Sequence, residues 1–194
     1  MDEVTLHAHA ARLGDEHALE ALVRAGYRDV WRLCAALVDR QSADDLAQET
    51  FVRATRALPG FRGHASARTW MLAIARNTCV DELRARSRRR RREQLLAATV
   101  ASQPTAPDAS DEVTVNDLLS LLDIDRRTAF VLTQIFRLSY EQAAHVCDCP
   151  VGTIRSRVAR ARKELIAALD AGQAGGQARQ RAPGAPHSSA ANGA

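Results

Sequence analysis

The stretch from Ser139 to Leu169 limits the possible folds of this chain more than any other part of the sequence. It joins a short apolar-patterned segment, a turn and a longer segment rich in arginine. Between the two segments, Asp148 or Cys149 can cap a helix, and Pro150 suits a first helical position. The whole pattern predicts a helix-turn-helix. In the longer segment, apolar residues recur at steps of three and four, the period of a helix with one buried stripe; they are Val151, Ile154, Val158, Ala161, Leu165 and Ala168.

Polar residues in the first turns of the longer segment are candidates for nucleic-acid contact. Arginine carries a planar guanidinium that can grip guanine or a phosphate with two parallel hydrogen bonds. The N–H groups at Gly152 and Thr153 stay open at the start of the helix. An isolated run of arginines is more typical of a solvated basic helix, but this one follows a helix-turn-helix pattern, which favours DNA contact. The predicted DNA-binding residues here are Thr153, Arg155, Ser156, Arg157 and Arg160.

The composition predicts an all-α protein with two small helical domains. Of 194 residues, 46% are hydrophobic and only 4% are aromatic, and the runs of β-branched residues that are typical of strands are missing. Alanine, leucine and arginine all favour helices. The amino terminus shows no charged leader followed by an apolar run, and no apolar stretch reaches membrane-spanning length. We therefore expect a cytoplasmic protein without a membrane segment.

Charge is distributed unevenly along the chain. The net charge is only +4, yet Arg84 to Arg92 forms an intense basic block and the region from Asp108 to Asp125 is acidic. Such patterning suits a polyanion partner at one surface and a second partner elsewhere.

The first domain begins with His17 to Val38, which the apolar period predicts as one or two helices, with Gly26 loosening the join. The next helix begins near Ser42, which with Asp45 resembles a capping box. Asp45 and Glu49 lie one turn apart and are able to hold a divalent metal, but no histidine or second acidic pair supports such a site. A solvated helix start and an interaction surface are the remaining interpretations. The exposed polar face of this helix consists of Asp44, Asp45, Gln48 and Glu49.

A polar loop, FRGHASARTW, follows Pro59 and Gly60, and another helix is predicted to begin near Ser66 to Arg68. One face of this helix combines a tryptophan, an amide and charged side chains, a set suited to stacking on an unstacked base and hydrogen-bonding it. The alternative is that Trp70 anchors the loop in the core. The members of this face are Trp70, Asn77, Asp81, Arg84 and Arg88.

Changes of composition divide the chain. The helical pattern fades within the arginine block, and SQPTAPDASDE has the composition of a linker. A second helical pattern opens at Val113, and its second helix is predicted from about Arg126 to Phe136. The last residues, AGQAGGQARQRAPGAPHSSAANGA, read as a disordered tail. The predicted parts are a first domain at 1–92, a linker at 93–112, a second domain at 113–170 and a tail at 171–194.

The four cysteines give no reason to expect a metal or another cofactor. Cys34 and Cys79 lie in apolar helical patterns and are predicted to be small core residues. Cys147 and Cys149 form a C-x-C pair, but no second Cys/His pair lies at the spacing of a zinc site.

Three segments together resemble a known family. They are ADDLAQETFVRA, ARTWMLAIARNTCVDELR and LSYEQAAHVCDCPVGTIRSRVARARKEL, in that order and across a linker. They are similar to regions 2 and 4 of the extracytoplasmic-function (ECF, group IV) sigma factors of the sigma-70 family. The resemblance covers about Ala18 to Leu169, and region 4 is similar to that of the sigma C type. Alanine and arginine usage, with Lys163 the only lysine, indicates a GC-rich actinobacterial source.

The resemblance implies functional roles. The helix that carries Asp44, Asp45, Gln48 and Glu49 would dock on the clamp helices of the RNA polymerase β′ subunit. Region 4 would sit on the β flap and read the −35 promoter element through the residues named above for the second helix. The loop from Phe61 to Thr69 and the helix after it would read the −10 element and capture a flipped base. The predicted −10 residues are Phe61, Arg62, Ser66, Arg68, Trp70, Asn77, Asp81, Arg84 and Arg88.

Two departures from the family pattern affect region 4. Many ECF members carry Leu-Pro where this chain has Asp123, Ile124 and Asp125. Ala159 stands where some relatives have a large aromatic residue on the recognition helix, so their −35 preference does not transfer directly.

The resemblance favours a promoter-specificity subunit whose partners are core polymerase and promoter DNA; an anti-sigma factor is a further partner that it allows. The alternative is an autonomous helix-turn-helix regulator with a ligand-sensing or dimerising first domain. An enzyme is the weakest interpretation, because the sequence has no phosphate-binding glycine loop, H-E-x-x-H or nucleophile motif.

Overall fold

A computed structural model describes residues 2–97 and 115–180, with side chains at 2–96 and 115–171. Within these ranges the chain is helical and has no strand, which confirms the predicted all-α class. Residues 98–112 of the predicted linker, residues 113–114 of the predicted second domain and residues 181–194 of the predicted tail lie outside the described residues. None of the described helices is both long and apolar enough to cross a membrane.

The first domain is a four-helix unit. Aspartates begin its first two helices: Asp2 accepts a hydrogen bond from the Thr5 N–H, and Asp15 accepts one from the Ala18 N–H. These bonds satisfy amide groups that have no partner inside the helix. The helices are α1 (Glu3–Arg12), α2 (Glu16–Leu37), α3 (Ala43–Ala57) and α4 (Ala67–Ala97), with a 3₁₀ turn at Leu58–Gly60.

The central helix of this domain is α2, which packs against α1, α3 and α4. Gly26 does not interrupt it, in contrast to the predicted loosening. A Cβ atom at Gly26 would lie 2.6 Å from Cε of Met71, so glycine is present because α2 and the Met71 side chain of α4 approach closely. Cys34 and Cys79 are both fully buried, as predicted for small core residues.

The start of α3 differs from the prediction. Ser42 has an α-helical backbone and its side chain caps nothing, so the expected capping box with Asp45 is wrong. Instead, Asp39 accepts a hydrogen bond from the Ser42 N–H at 2.7 Å, and the Ser42 hydroxyl accepts one from Arg86 at 2.5 Å. Arg86 lies on α4, so a tertiary contact replaces the local cap.

The second domain packs around the helix-turn-helix. Leu119 and Leu122 are buried as the apolar stripe predicts, whereas Val115 is 67% exposed. Asp123 caps the next helix by accepting bonds from the Asp125 and Arg126 N–H groups, so this helix begins at Ile124 rather than near Arg126. The elements are α5 (Val115–Ser120), α6 (Ile124–Phe130) with a π-helical continuation at Val131–Ile135, α7 (Tyr140–Cys147) and α8 (Val151–Gln180).

Two helices extend past the predicted domain boundaries. The arginine block stays helical, and α4 ends at Ala97 rather than losing its structure by residue 92. Likewise α8 continues to Gln180, into the region predicted as tail. Both extensions lack an apolar stripe, the feature on which the prediction relied. The α4 extension at 93–97 consists of glutamate, glutamine, leucine and alanine, which have high intrinsic helix propensity. The α8 extension at 171–180 combines alanine and glutamine with three glycines, so propensity alone does not explain it.

The two domains are in direct contact, chiefly through α4 and α7. Arg127 of α6 donates a hydrogen bond to the Leu37 carbonyl at the end of α2, at 3.0 Å. The Arg32 guanidinium lies 5.4 Å from the ring centre of Phe136, which is within range of a cation–π interaction.

Candidate nucleic-acid interface

The helix-turn-helix is closed by local hydrogen bonds. Ser139 and Gln142 form a full capping box at the start of α7, which satisfies two amide groups reciprocally. Asp148 ends this helix in the left-handed region at φ 49°, a conformation that Asp tolerates better than most residues. The Pro150 carbonyl then accepts the Thr153 and Ile154 N–H groups, which makes Pro150 the N-cap of α8 rather than its first helical residue.

The second helix of the motif separates an apolar side from a basic side. Ile154, Val158 and Ala161 are each at most 2% exposed, and Leu165 packs partly buried against the same core. This confirms the predicted stripe. Arg155, Ser156 and Arg160 are exposed, and Thr153 is half-buried. Four of the five residues predicted for DNA contact therefore face away from the core or lie at its edge.

Arg157, the fifth residue, is held by other side chains. Its Nη2 donates to Oδ2 of Asp125 at 2.6 Å, and its Nη1 lies 3.6 Å from Sγ of Cys149. The other oxygen of Asp125, Oδ1, accepts a bond at 3.1 Å from Arg76 of α4. One carboxylate therefore joins a predicted DNA-reading arginine to the first domain.

The loop between α3 and α4 borders an open cavity of about 260 Å³. Phe61 is buried beneath the loop, 3% exposed, and its ring centre lies 5.1 Å from that of Trp70. Arg62 and His64 are exposed and line the cavity together with Trp70. Trp70 thus contacts the anchoring Phe61 and also faces the cavity, so the two interpretations of this residue are compatible.

The other loop residues predicted for −10 contact are engaged within the protein. Ser66 lies at the start of α4, where its Oγ accepts the Thr69 N–H at 3.2 Å. Arg68 donates to Asp29 at 2.6 Å and to the Phe136 carbonyl at 3.5 Å.

Further along α4, the predicted face is largely open. Asn77, Arg84 and Arg88 are exposed. Asp81 accepts a bond at 2.8 Å from Arg53 of α3, and that arginine also pairs with Glu49 at 2.8 Å. The bonds to these two carboxylates raise the pKa of the Arg53 guanidinium.

The acidic face of α3 is accessible. Asp44, Asp45, Gln48 and Glu49 are all exposed. Asp44 accepts a hydrogen bond from the Tyr27 hydroxyl at 2.9 Å, and this bond raises the pKa of Tyr27. No group of three or more potential metal-ligating side chains occurs in the part of the chain described.

Burial and hydrogen bonding shift the pKa values of two cysteine thiols. Burial raises the pKa of Cys147 to about 11, so this thiol is neutral near pH 7. A hydrogen bond with Cys34, together with burial, raises the pKa of Cys79 far above its usual range. Both thiols are buried within the helical core.

Contact between the domains brings the two predicted DNA-reading regions together. His145 of α7 lines the cavity under the loop, and the Arg76–Asp125–Arg157 bridge lies between α4 and α8. The sequence patterns predict no role for Arg76 or His145, and Asp125 stands out in the sequence only as a departure from the family pattern. No local signal identifies such residues, because their roles arise from the packing of distant segments.

Comparison with known proteins accounts for both domains. Residues 22–89 match the family model of sigma-70 region 2, and residues 113–165 match that of sigma-70 region 4. The chain is 49% identical over 172 residues to the ECF RNA polymerase sigma factor SigC of Mycobacterium tuberculosis, covering 86% of this chain and 91% of that protein. It is 38% identical over 170 residues to the RNA polymerase sigma-H factor of Pseudomonas aeruginosa, covering 80% and 88% of the two chains.

Two solved structures have a similar fold. CnrH, in complex with the cytosolic domain of CnrY, matches with a TM-score of 0.68 at 29% identity, over 88% of this chain and 99% of that one. The sigma factor RpoE of Bartonella quintana, in complex with the anti-sigma factor NepR, matches with a TM-score of 0.59 at 27% identity, over 78% and 96%. The protein therefore belongs to the sigma-70 family, as an RNA polymerase sigma factor of the extracytoplasmic-function type.

Proposed function

We propose that the second domain reads the −35 promoter element through the exposed side of α8. One observation carries this assignment: α8 follows a capped helix and a tight turn, buries Ile154 and Val158, and leaves Arg155 and Arg160 in solvent. Recognition helices use their first turns in this way, with guanidinium groups directed at guanine edges or phosphates.

The −10 element is assigned to the loop after α3 and the first turns of α4. Arg62 and His64 border an open cavity that Trp70 also lines, which provides charged and aromatic groups for an unstacked base. Asn77 and Arg84 extend this surface along α4. Phe61 has a different role in this proposal: it holds the loop from below, since its ring is buried.

Core polymerase is assigned to the acidic face of α3. Asp45, Gln48 and Glu49 are exposed side by side on successive turns, and the described structure offers no metal cluster that would explain the carboxylates. A surface of this kind suits a basic protein partner, the role that the clamp helices of β′ would fill.

Transcription with purified components tests the function as a whole. Core RNA polymerase with the full-length protein is expected to give specific run-off products from promoters selected out of a random-sequence library, and core enzyme alone is not. An autonomous regulator predicts the opposite behaviour: tight, sequence-specific duplex binding without polymerase, and no products from core enzyme on addition of the protein.

The −35 assignment has its own test in Arg155→Ala. A lost bidentate base contact costs about 1–3 kcal/mol and relaxes specificity at one position, whereas a lost phosphate contact weakens all sequences alike. Lys163→Ala is the matched control, since it removes an exposed positive charge from a later turn of α8. Selection of −35 sequences by each holoenzyme distinguishes the outcomes. If both variants select the same sequences as wild type with unchanged affinity, Arg155 does not read this element.

We further propose a cytoplasmic location for this protein and an anti-sigma factor as its inhibitor. A subunit of this kind acts in the cytoplasm with the polymerase and has no catalytic chemistry of its own. The similar fold of RpoE was solved with an anti-sigma factor, so we include such an inhibitor among the candidate partners. A co-purifying inhibitor would be recognised because it competes with core polymerase for binding to the full-length protein.

A further inference from the structure

The first helix, α1, fastens the loop that precedes α4. It lies outside residues 22–89, the region-2 match, and no motif in its sequence predicts a role. We propose that Thr5 and His9 of α1 are positioning residues for the −10 loop, setting its conformation before DNA binds. The inference rests on the proposed −10 role of residues 61–69.

Thr5 fixes the end of the loop through a chain of hydrogen bonds. Asp2 accepts the Thr5 N–H through Oδ1 at 2.9 Å and the Thr5 hydroxyl through Oδ2 at 2.8 Å. The Thr5 Oγ in turn accepts the Ala67 N–H at 2.9 Å. A hydroxyl has a single proton, and because Asp2 takes it, a lone pair of Thr5 is left for Ala67, the first residue of α4.

The charge of Asp2 supports this arrangement. Burial raises the pKa of the Asp2 carboxyl, but its bonds to the Thr5 hydroxyl and amide outweigh that effect and leave the pKa below its usual value. Asp2 is therefore ionised near pH 7 and acts only as an acceptor, which keeps the Thr5 proton directed toward it. Thr5 is only 4% exposed, so water cannot readily replace the bond to Ala67.

His9 holds the other parts of the loop. Its ring centre lies 5.2 Å from that of Phe61, the buried anchor at the loop's start. Gly63 has a φ of +72°, and a Cβ at this position would lie only 2.8 Å from Nε2 of His9. The imidazole therefore lies directly against the loop backbone. Glycine suits position 63 because the φ angle is positive and because the His9 ring leaves little room for a Cβ.

Together, Thr5 and His9 constrain the loop at its start, near its middle and at its end, while Arg62 and His64 remain exposed. A loop that is already ordered loses less conformational entropy when it binds a ligand, which raises affinity without adding a contact. The expected consequence of loosening α1 is weaker −10 binding with unchanged binding of core polymerase.

The decisive substitution is Thr5→Val, which keeps the side-chain shape and removes the acceptor of the Ala67 N–H. Thr5→Ser restores a hydroxyl. Thr78→Val is the matched control, because Thr78 is also buried, at 3% exposed, and its hydroxyl donates only to the Ile74 carbonyl within α4. Its loss removes a buried hydrogen bond without touching the loop.

The experiment measures holoenzyme affinity for a forked DNA probe. The probe carries a promoter chosen from a random library by wild-type holoenzyme, with its non-template −10 strand single-stranded. Thr5→Val is expected to weaken binding about tenfold, the effect of about 1.4 kcal/mol, while Thr5→Ser stays within about twofold of wild type. Core affinity and the Thr78→Val variant are expected to match wild type.

Other measurements separate the possible failures. Hydrogen exchange of residues 61–66 in the free protein is expected to quicken in Thr5→Val and in His9→Ala, and to be unchanged in Thr78→Val. Equal losses of probe affinity in the two valine variants would mean a general stability effect and overturn the positioning role. An effect of Arg62→Ala with none for Thr5→Val and His9→Ala would also overturn it. If Arg62→Ala too has no effect, the proposed −10 function of the loop is itself wrong.

Discussion

The substitution Asp125→Asn offers a direct test of the contact between the two domains. Asp125 binds Arg76 of the first domain through one oxygen at 3.1 Å and Arg157 of α8 through the other at 2.6 Å. Asparagine keeps the shape of the side chain but removes its charge and one acceptor. The substitution therefore weakens a link between the domains and, at the same time, releases the Arg157 side chain.

The structure sets the size of the expected effect. The Arg76 and Arg157 side chains are 18% and 22% exposed, while Asp125 is 41% exposed. Fully exposed ion pairs contribute about 0.2–1 kcal/mol, and hydrogen bonds to charged groups about 1.5–3 kcal/mol. Because these pairs are partly screened by water, we expect the substitution to weaken the contact between the domains by about 1–2 kcal/mol in total. This corresponds to about a five- to thirtyfold shift toward a state in which the two domains are separated. The bonds from Arg68 and Arg127 across the contact remain.

Fluorescence anisotropy of the full-length protein on a −35 duplex measures the consequence. Asp170→Asn is the charge-matched control, because Asp170 is an exposed residue of α8 and its substitution changes the net charge equally. General attraction to DNA rises with positive charge and falls with salt, so the control corrects for it. The affinity of Asp125→Asn is expected to exceed that of Asp170→Asn by about five- to thirtyfold. Equal affinities at every salt concentration would refute the reasoning.

Three further predictions concern the first domain. Replacing both Asp45 and Glu49 with alanine is expected to weaken core polymerase binding at least about tenfold, with an unchanged helical circular dichroism spectrum; unchanged binding would exclude the acidic face. Gly26→Ala places a Cβ 2.6 Å from Cε of Met71, the flexible end of that side chain, so we expect the methionine to shift and the free energy of unfolding, measured by urea titration, to change by less than about 1 kcal/mol. Burial raises the pKa of Asp39, but its bonds to Arg86 and Ser42 outweigh burial and lower the pKa below 3.8. The ionised Asp39 therefore stabilises the fold above that pH, and this contribution is lost as the pH falls through the lower pKa of the folded state. Asp39→Asn is expected to remove this part of the acid sensitivity, measured by urea titrations at pH 6 and pH 3.

Elements with a continuous apolar stripe could be predicted from the sequence, and those defined by tertiary contacts could not. The buried side of α8 followed from its spacing alone, since Ile154, Val158 and Ala161 recur at one helical face. The expected cap at Ser42 failed because Arg86, far along the chain, reaches the Ser42 hydroxyl. Local hydrogen-bond rules describe what a residue is able to do, and a charged partner brought in by packing decides what it does.

The sequence of the first helix, α1, contains a weak signal of its buried face. Thr5, Ala8 and Ala11 are buried and lie three residues apart, and Asp2 precedes them as a helix cap. Small side chains produce little contrast between the two faces of a helix, so this spacing is faint in a short segment. The link from Thr5 to Ala67 joins residues far apart in sequence, and only the folded chain reveals it.

The contact between the domains bears on the order of events at a promoter. Elements about 17 base pairs apart lie roughly 58 Å from each other at about 3.4 Å per step, whereas α7 packs directly on α4 here. We therefore expect the domains to separate before one molecule binds both proposed elements. Asp45 and Glu49, the proposed polymerase-binding residues, are exposed even while the domains are together, so we expect core polymerase to dock on α3 first. Docking followed by separation lets polymerase contacts offset the loss of the contact between the domains, and it predicts that the free protein binds a duplex with both elements no more tightly than a duplex with one.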